Sequence, residues 1–388
     1  MKPFSYFQPT EIHFGCGRVK EVGELVARFG KRCLLVTVPE MECFTALYQG
    51  VFASLKDAKV ETSHFDGVVP NPTVESVTAG AEIAKRTGAD VILGLGGGSS
   101  MDTAKAIAVE VTHPGRAWDY LFFRETQPTA NTLPVIAVTT TSGTGSQVTQ
   151  VSVITDPETK TKSAIYNSYI YPRACIVDPE LTITVPRHIT ASTGFDVFCH
   201  AFEAYLHPNV SPYIELIALE ALRLVIAYLP NTVEDGGNLE ARVNMAWADT
   251  LAGLSIANAG VTLPHGIGMT IGGHCPWVMH GEALAVVYPE FMRFTYASAI
   301  KRFATLGRLF NPSLASASDE AAAEQSCAEL EQFLKDIGMW LSLEGLNVNR
   351  RDVDAIADNS RVLPDYKNNP RIASRDEIYG MLANSYHR

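Results

Sequence analysis

Five short apolar or β-branched runs, 33–37, 60–65, 91–95, 135–139 and 174–177, alternate with helical patterns such as 74–87 and 101–111. That alternation constrains the fold most. Antiparallel strands can follow each other through two-residue turns, whereas strands separated by whole helices must run parallel and be covered on both faces. From about Pro186 the period changes to long helical stretches. The expected fold is therefore an α/β N-terminal, Rossmann-like domain with a mostly parallel sheet, residues 1–185, followed by an all-α C-terminal domain, residues 186–388. A chain of 388 residues exceeds what one core supports, which also argues for two domains. The run 214–229 is apolar nearly all round and is expected to be a buried helix, short of a membrane span.

In the second half, Asp196 and His200 stand four residues apart in a helical stretch and so share one face. Two more histidines, His265 and His280, are each followed by a glycine, in segments that read as loops whose backbone lies close to a site. Each histidine alone also fits a satisfied core or surface imidazole. Together with Asp196 they make a set suited to Fe(II) or Zn(II), with a helix pair and two later loops supplying the ligands.

In the first half, the strand ending at Leu95 runs through Gly96, Gly97, Gly98 and Ser99 into an Ala-rich helix expected to be capped by serine. Bare N–H groups at a helix N-terminus hold phosphate, although the spacing departs from G-x-G-x-x-G and a ligand-free tight turn has the same look. The segment 139–149, rich in threonine and glycine, follows the next strand. Its hydroxyls would line a phosphate, ribose or nicotinamide, or else cap their own backbone.

These motifs, in this order, resemble the iron-containing (group III) alcohol dehydrogenases, of the dehydroquinate synthase-like fold. The likeness includes Phe14-Gly15-Cys16-Gly17, Pro70-Asn71-Pro72, the glycine loop through Asp102 and Lys105, 140–148, the helix from Thr193 to Glu203, and Asn368-Asn369-Pro370-Arg371. The resemblance implies metal ligands Asp196, His200, His265 and His280. It implies pyrophosphate on Gly96, Gly97, Gly98 and Ser99, with Asp102 at the head of the following helix. Thr140, Ser142, Thr149 and Lys162 would flank ribose and nicotinamide, and Asn71 the adenosine side; Lys162 also reads as a solvated lysine of a charged hairpin. The implied activity is metal-dependent, NAD- or NADP-linked hydride transfer between small alcohols and aldehydes, with Fe(II) favoured over Zn(II). A homo-oligomer, dimer or larger, is expected.

Three positions depart from the family pattern. Val38 replaces the acid that binds the adenine-ribose hydroxyls and repels a 2′-phosphate, leaving NAD against NADP open, with Glu40 as a stand-in. Met269 replaces a proton-relaying histidine, for which His274 is the substitute or a mere rim residue, and Gln147 replaces a glutamate. A net charge of −11 argues against nucleic acid or an anionic membrane as partner. Seven scattered cysteines without C-x-x-C pairs fit free thiols, and the opening Met-Lys-Pro-Phe-Ser-Tyr-Phe has no apolar leader core, so a cytoplasmic location is expected. The alternatives are a metal- and NAD-dependent lyase of the dehydroquinate synthase type and a non-catalytic metal or nucleotide sensor.

Overall fold

The computed structural model describes residues 3–387; Met1 and Lys2, read above for a leader, and Arg388 lie outside them. The chain forms two compact units, Phe7–Val185 and a second from Pro186 onward that also takes residues 3–6.

In the first unit, strands β1 (Glu11–Phe14), β2 (Arg32–Val36), β3 (Glu61–Phe65), β4 (Val91–Gly96), β5 (Val135–Thr139) and β8 (Ala174–Val177) form a parallel sheet in the order β1-β8-β5-β4-β2-β3. This is the architecture the alternation implied, with α1 (Val22–Ala27), α2 (Glu42–Asp57), α3 (Val74–Thr87) and α4 (Gly98–Thr112) between strands. Residues of β4 and β5 are buried throughout, as expected of strands covered on both faces. Leu34 and Val36 of β2 pack with α3 and α4, while Cys33 and Leu35 pack with α1 and α2. The chain leaves β2 toward β3 and then crosses back to β4, so the direction of winding reverses between β2 and β4. In open α/β sheets, ligands bind outside the carboxyl ends of strands at such a reversal. An antiparallel hairpin, β6 (Val151–Asp156) and β7 (Thr161–Tyr166), sets Thr155 opposite Lys162.

Two expectations need correction. Helix α4 is capped by Gly97 with no side-chain cap, so Ser99 lies inside the helix. The run 214–229 belongs to α6 (Pro212–Glu234), which begins after Ser211, whose Oγ accepts from Ile214 N–H. This helix is long and apolar enough to cross a membrane by length and composition, and 44% of its most apolar window is buried. Ala218, Leu222, Val225 and Leu229 enter the core while Leu216 is exposed, so the helix is half-buried and not buried all round.

The rest of the second unit is helical: α5 (Arg187–Leu206), α7 (Leu239–Asn258), α8 (Leu263–His274), α9 (His280–Thr295), α10 (Ile300–Phe310), α11 (Asp319–Asp336), α12 (Val353–Asn359) and α13 (Arg375–Asn384). Helix α5 is buried on two stripes. Phe195, Phe198 and Phe202 recur at helical spacing and stack into the core with Tyr288 and Phe303. Burying each such ring stabilises by roughly 1.5–3 kcal/mol, so α5 is held rigidly. The adjacent stripe, Asp196, His200 and Glu203, is polar and equally buried.

Candidate metal centre and dinucleotide loops

His265 and His280 come from helices and not from loops. His265 is the third residue of α8, and His280 is the first of α9, whose start is fixed by Glu282 Oε2 accepting from Met279 N–H at 3.0 Å. Glycines 266 and 281 also differ from their reading. A methyl at Gly281 would stand 2.6 Å from the Ser192 carbonyl carbon, so this glycine lets α9 lie against α5.

The four ring and carboxylate groups converge. Nε2 of His200, His265 and His280 lie 3.6, 3.6 and 3.9 Å from one oxygen, Asp196 Oδ1. The ligand atoms of Asp196, His265 and His280 are all within 4.8 Å of one another. The rings of His200 and His265 stack with centroids 4.7 Å apart. These separations are too long for hydrogen bonds. They suit neighbouring ligands of one ion, since bonds of about 2.1 Å at tetrahedral angles put ligand atoms about 3.4 Å apart. Asp196 Oδ1 and His265 Nε2 are buried and find no hydrogen-bond partner among the described residues. Two orphaned polar atoms facing each other cost free energy that a cation would recover, and an Asp/His₃ donor set has the chemistry to bind one.

The electrostatics agree. Burial works to raise the Asp196 carboxyl, yet His200, His280 and His265 overcome it and hold it far below the usual carboxylate range. Burial likewise would lower the His265 imidazolium, but Glu203 and Asp196 reverse this and push it up to about 10. Two buried carboxylates therefore make a field that demands positive charge.

Glu203 was quoted above only as part of a motif. It follows Asp196 by seven residues and shares its stripe, a spacing that could have marked it. Asp365 gave no signal in the sequence, and it is brought beside Gly266 by the chain's return. Burial pushes its carboxyl up to about 7, with His265 pulling down and Glu203 adding to the rise. Met269 is buried one helical turn after His265. His274 lies nine residues along α8, on its opposite side and about 13 Å further on, and its Nε2 meets Asn359 Nδ2 at 2.9 Å. It does not stand at the position of Met269.

In the first unit, the glycine loop and the threonine-rich loop leave neighbouring strands, with Gly96 and Thr139 in register. Thr140 N–H donates to Gly96 O at 3.0 Å. Gly96 has φ +145°, open to glycine, and a methyl at Gly98 would meet Thr144 Oγ1 at 2.7 Å, so side chains there would part the loops. Gly97, Ser99 and Ser142 retain partial exposure, whereas Thr140 and Thr149 are buried. Asp102 faces inward: its carboxylate accepts from Ser146 Oγ at 2.6 Å and Val153 N–H at 3.0 Å. Lys105, fully buried, donates to Ser146 O, Ser146 Oγ, Thr149 O and Val151 O at 2.7–2.9 Å. Burial pulls its ammonium down to about 8 against the pull of Asp102. Lys162 is buried, not solvated, and donates to Asn71 Oδ1 at 2.7 Å, with Asn71 at φ +53°. Val38 follows the end of β2, and Glu40 Oε1 accepts from Thr45 Oγ1 at 2.7 Å.

A parallel α/β sheet and an Asp196, His265 and His280 group that could hold a metal ion, with His200 beside it, are the combination expected of a metal-linked dehydrogenase. Residues 9–179 match the model for iron-containing alcohol dehydrogenase, and residues 190–386 match its family's C-terminal model. The chain belongs to the iron-containing alcohol dehydrogenase family. It is 32% identical to the NAD-dependent methanol dehydrogenase of Bacillus methanolicus, across 98% of this chain and 99% of that one. It is 33% identical to the 1,3-propanediol dehydrogenase of Klebsiella pneumoniae, across 99% of each. Among solved structures, an alcohol dehydrogenase from an archaeal halo-thermophile of a Red Sea brine pool superposes with a TM-score of 0.94 at 34% identity, over 99% of this chain and all of that one. The protein is thus an oxidoreductase, and the lyase and sensor readings fall away.

Proposed function

We propose that this protein interconverts small alcohols and aldehydes by hydride transfer with NAD or NADP, using one divalent ion held by Asp196, His200, His265 and His280. The convergence of three Nε2 atoms on Asp196 Oδ1 carries the reading. An ion there would polarise an aldehyde oxygen or stabilise an alkoxide. Asp196 lowers the net charge of the centre and tempers its Lewis acidity. Met269 can neither give nor take a proton, so the position one turn from His265 carries no proton relay. Residues 1–185 would bind the dinucleotide. Backbone N–H groups of Gly96, Gly97, Gly98 and Ser99 would bind the pyrophosphate at the start of α4, where the helix dipole favours it. Thr140, Ser142, Thr149 and Lys162 would flank ribose and nicotinamide and Asn71 the adenosine side, with Lys162 donating to Asn71 Oδ1. Asp102 supports that loop from behind through Ser146 and Val153. Residues 186–388 would hold the metal. Relatives named for methanol and 1,3-propanediol support a small neutral substrate, and imidazole with carboxylate supports Fe(II) as well as Zn(II). A cytoplasmic location is in keeping with the free thiols.

The test reconstitutes metal-stripped protein separately with Fe(II), anaerobically, and with Zn(II). Short aldehydes and diols are then offered with each cofactor while reduced-nicotinamide absorbance is followed. One ion per chain and metal-dependent reduction of small aldehydes, faster with Fe(II), are expected. Equal rates in metal-free protein, or full metal content in a His200→Ala/His280→Ala variant, would overturn the reading.

A further inference from the structure

We propose that Glu203 is the positioning residue of this centre: it holds the His265 ring with the proton on Nδ1 and the Nε2 lone pair toward Asp196, and so sets the metal affinity. This rests on the metal-site reading above.

Glu203 is fully buried. Its Oε1 accepts from His265 Nδ1 at 2.7 Å, and the Tyr288 hydroxyl also approaches that oxygen at 3.4 Å. Its Oε2 accepts from Thr262 N–H at 2.8 Å and from Thr262 Oγ1 at 3.2 Å. Both oxygens are thus committed inside the protein, which leaves Glu203 as a support and not as a ligand. An imidazole has one lone pair and one N–H when neutral, and a carboxylate can only accept. With Nδ1 facing Oε1, the N–H must sit there, and Nε2 is left as the donor of electrons to an ion. No other hydrogen bond to Nδ1 is found among the described residues, so without the carboxylate the two tautomers compete.

Glu203 also fixes where the ring starts. Thr262 is the N-cap residue of α8, yet its hydroxyl does not cap its own helix. Instead it donates, with its N–H, to Glu203, and His265 follows three residues later. One carboxylate on α5 therefore ties down both the first turn of α8 and the ligand in it. It shares the stripe of Asp196 and His200, so three of the groups that define the ion's position ride on one rigid helix. Outer partners of metal-bound imidazoles are generally worth 10- to 100-fold in metal affinity.

Glu203→Gln keeps the shape but sets an NH₂ against either Thr262 N–H or His265 Nδ1–H. In full-length protein loaded with Co(II), chelator competition should show 10- to 100-fold weaker binding and an altered ligand-field spectrum, with NADH binding unchanged. Wild-type affinity and spectrum in Glu203→Gln would overturn the inference, even if the metal-free variant melts lower. Failure of the wild type to bind Co(II) would instead overturn the metal-site reading, and this inference with it. If Glu203→Gln does not fold, nitrogen-15 spectra of Zn(II)-loaded wild type decide: His265 should carry its proton on Nδ1, and a proton on Nε2 would overturn the role.

Discussion

Gly281 and Gly266 each follow a ligand histidine, yet alanine should act oppositely at the two. At Gly281 the new methyl would stand 2.6 Å from the Ser192 carbonyl carbon and closer still to its oxygen. Ordinary carbon contacts are about 3.5–4.0 Å, so α9 must retreat from α5 by roughly 1 Å. The obstacle is backbone, which cannot rotate aside. Overpacking of this kind costs about 1–3 kcal/mol, and roughly 5 °C in melting temperature. It also carries His280 away from Asp196, now 3.9 Å distant, whereas metal sites tolerate errors of only about 0.2 Å. Metal affinity should fall more than tenfold although no ligand is removed. At Gly266 nothing stands nearer than Ser360 O at 3.4 Å, and the residue is helical. Replacing glycine by alanine inside a helix stabilises by about 0.5–1 kcal/mol, so Gly266→Ala should melt no lower and keep its metal. Thermal melts and chelator competition on both variants form the assay. Gly281→Ala with wild-type melting and affinity, or Gly266→Ala losing metal, would refute this account of how α9 and α8 are seated.

Gly98→Val should weaken NAD(P)H binding at least tenfold with metal content unchanged, because its side chain meets Thr144 and parts the two loops; unaltered cofactor affinity by fluorescence titration would move the pyrophosphate elsewhere. Val38→Asp should shift preference toward NADH by tenfold or more in kcat/KM; a wild-type preference for NADH already beyond about a thousandfold, roughly 4 kcal/mol, would put selection on another acid such as Glu40. His207, whose Nδ1 accepts from Asn209 N–H, is pulled by burial down to about 4. Its neutral form is the folded form, so the stability it gives is full above about pH 6.5 and is lost as pH falls from there through 4. The loss reaches about 3 kcal/mol at 1.36 per unit. His207→Asn should flatten urea stability across that window, and an unchanged pH dependence would count against it.

The sheet was readable because burial on both faces leaves no polar alternation, so 135–139 and 174–177 announce themselves as β5 and β8. Strand β1 was not, since Glu11 and His13 make it look like a loop, and only pairing with β8 settles it. The spacing of Asp196 and His200 showed a shared face because a helix fixes that locally. Glycine after His265 and His280 suggested loops, but the first glycine continues a helix and the second relieves a helix crossing; local sequence does not distinguish these. Lys162 stands in a charged hairpin, and its burial depends on Asn71, ninety-one residues away. Asp365 is likewise brought to its place only by tertiary return.

The Lys105 ammonium gathers backbone oxygens of Ser146, Thr149 and Val151 onto one point. Ordering one residue's backbone costs about 1–2 kcal/mol, so holding 146–151 in a single shape costs on the order of 10 kcal/mol. That entropy is surrendered once, when the chain folds, and not again at each catalytic cycle. If a dinucleotide binds at this loop as proposed above, it meets a surface already shaped, and its release after turnover does not let the loop dissolve.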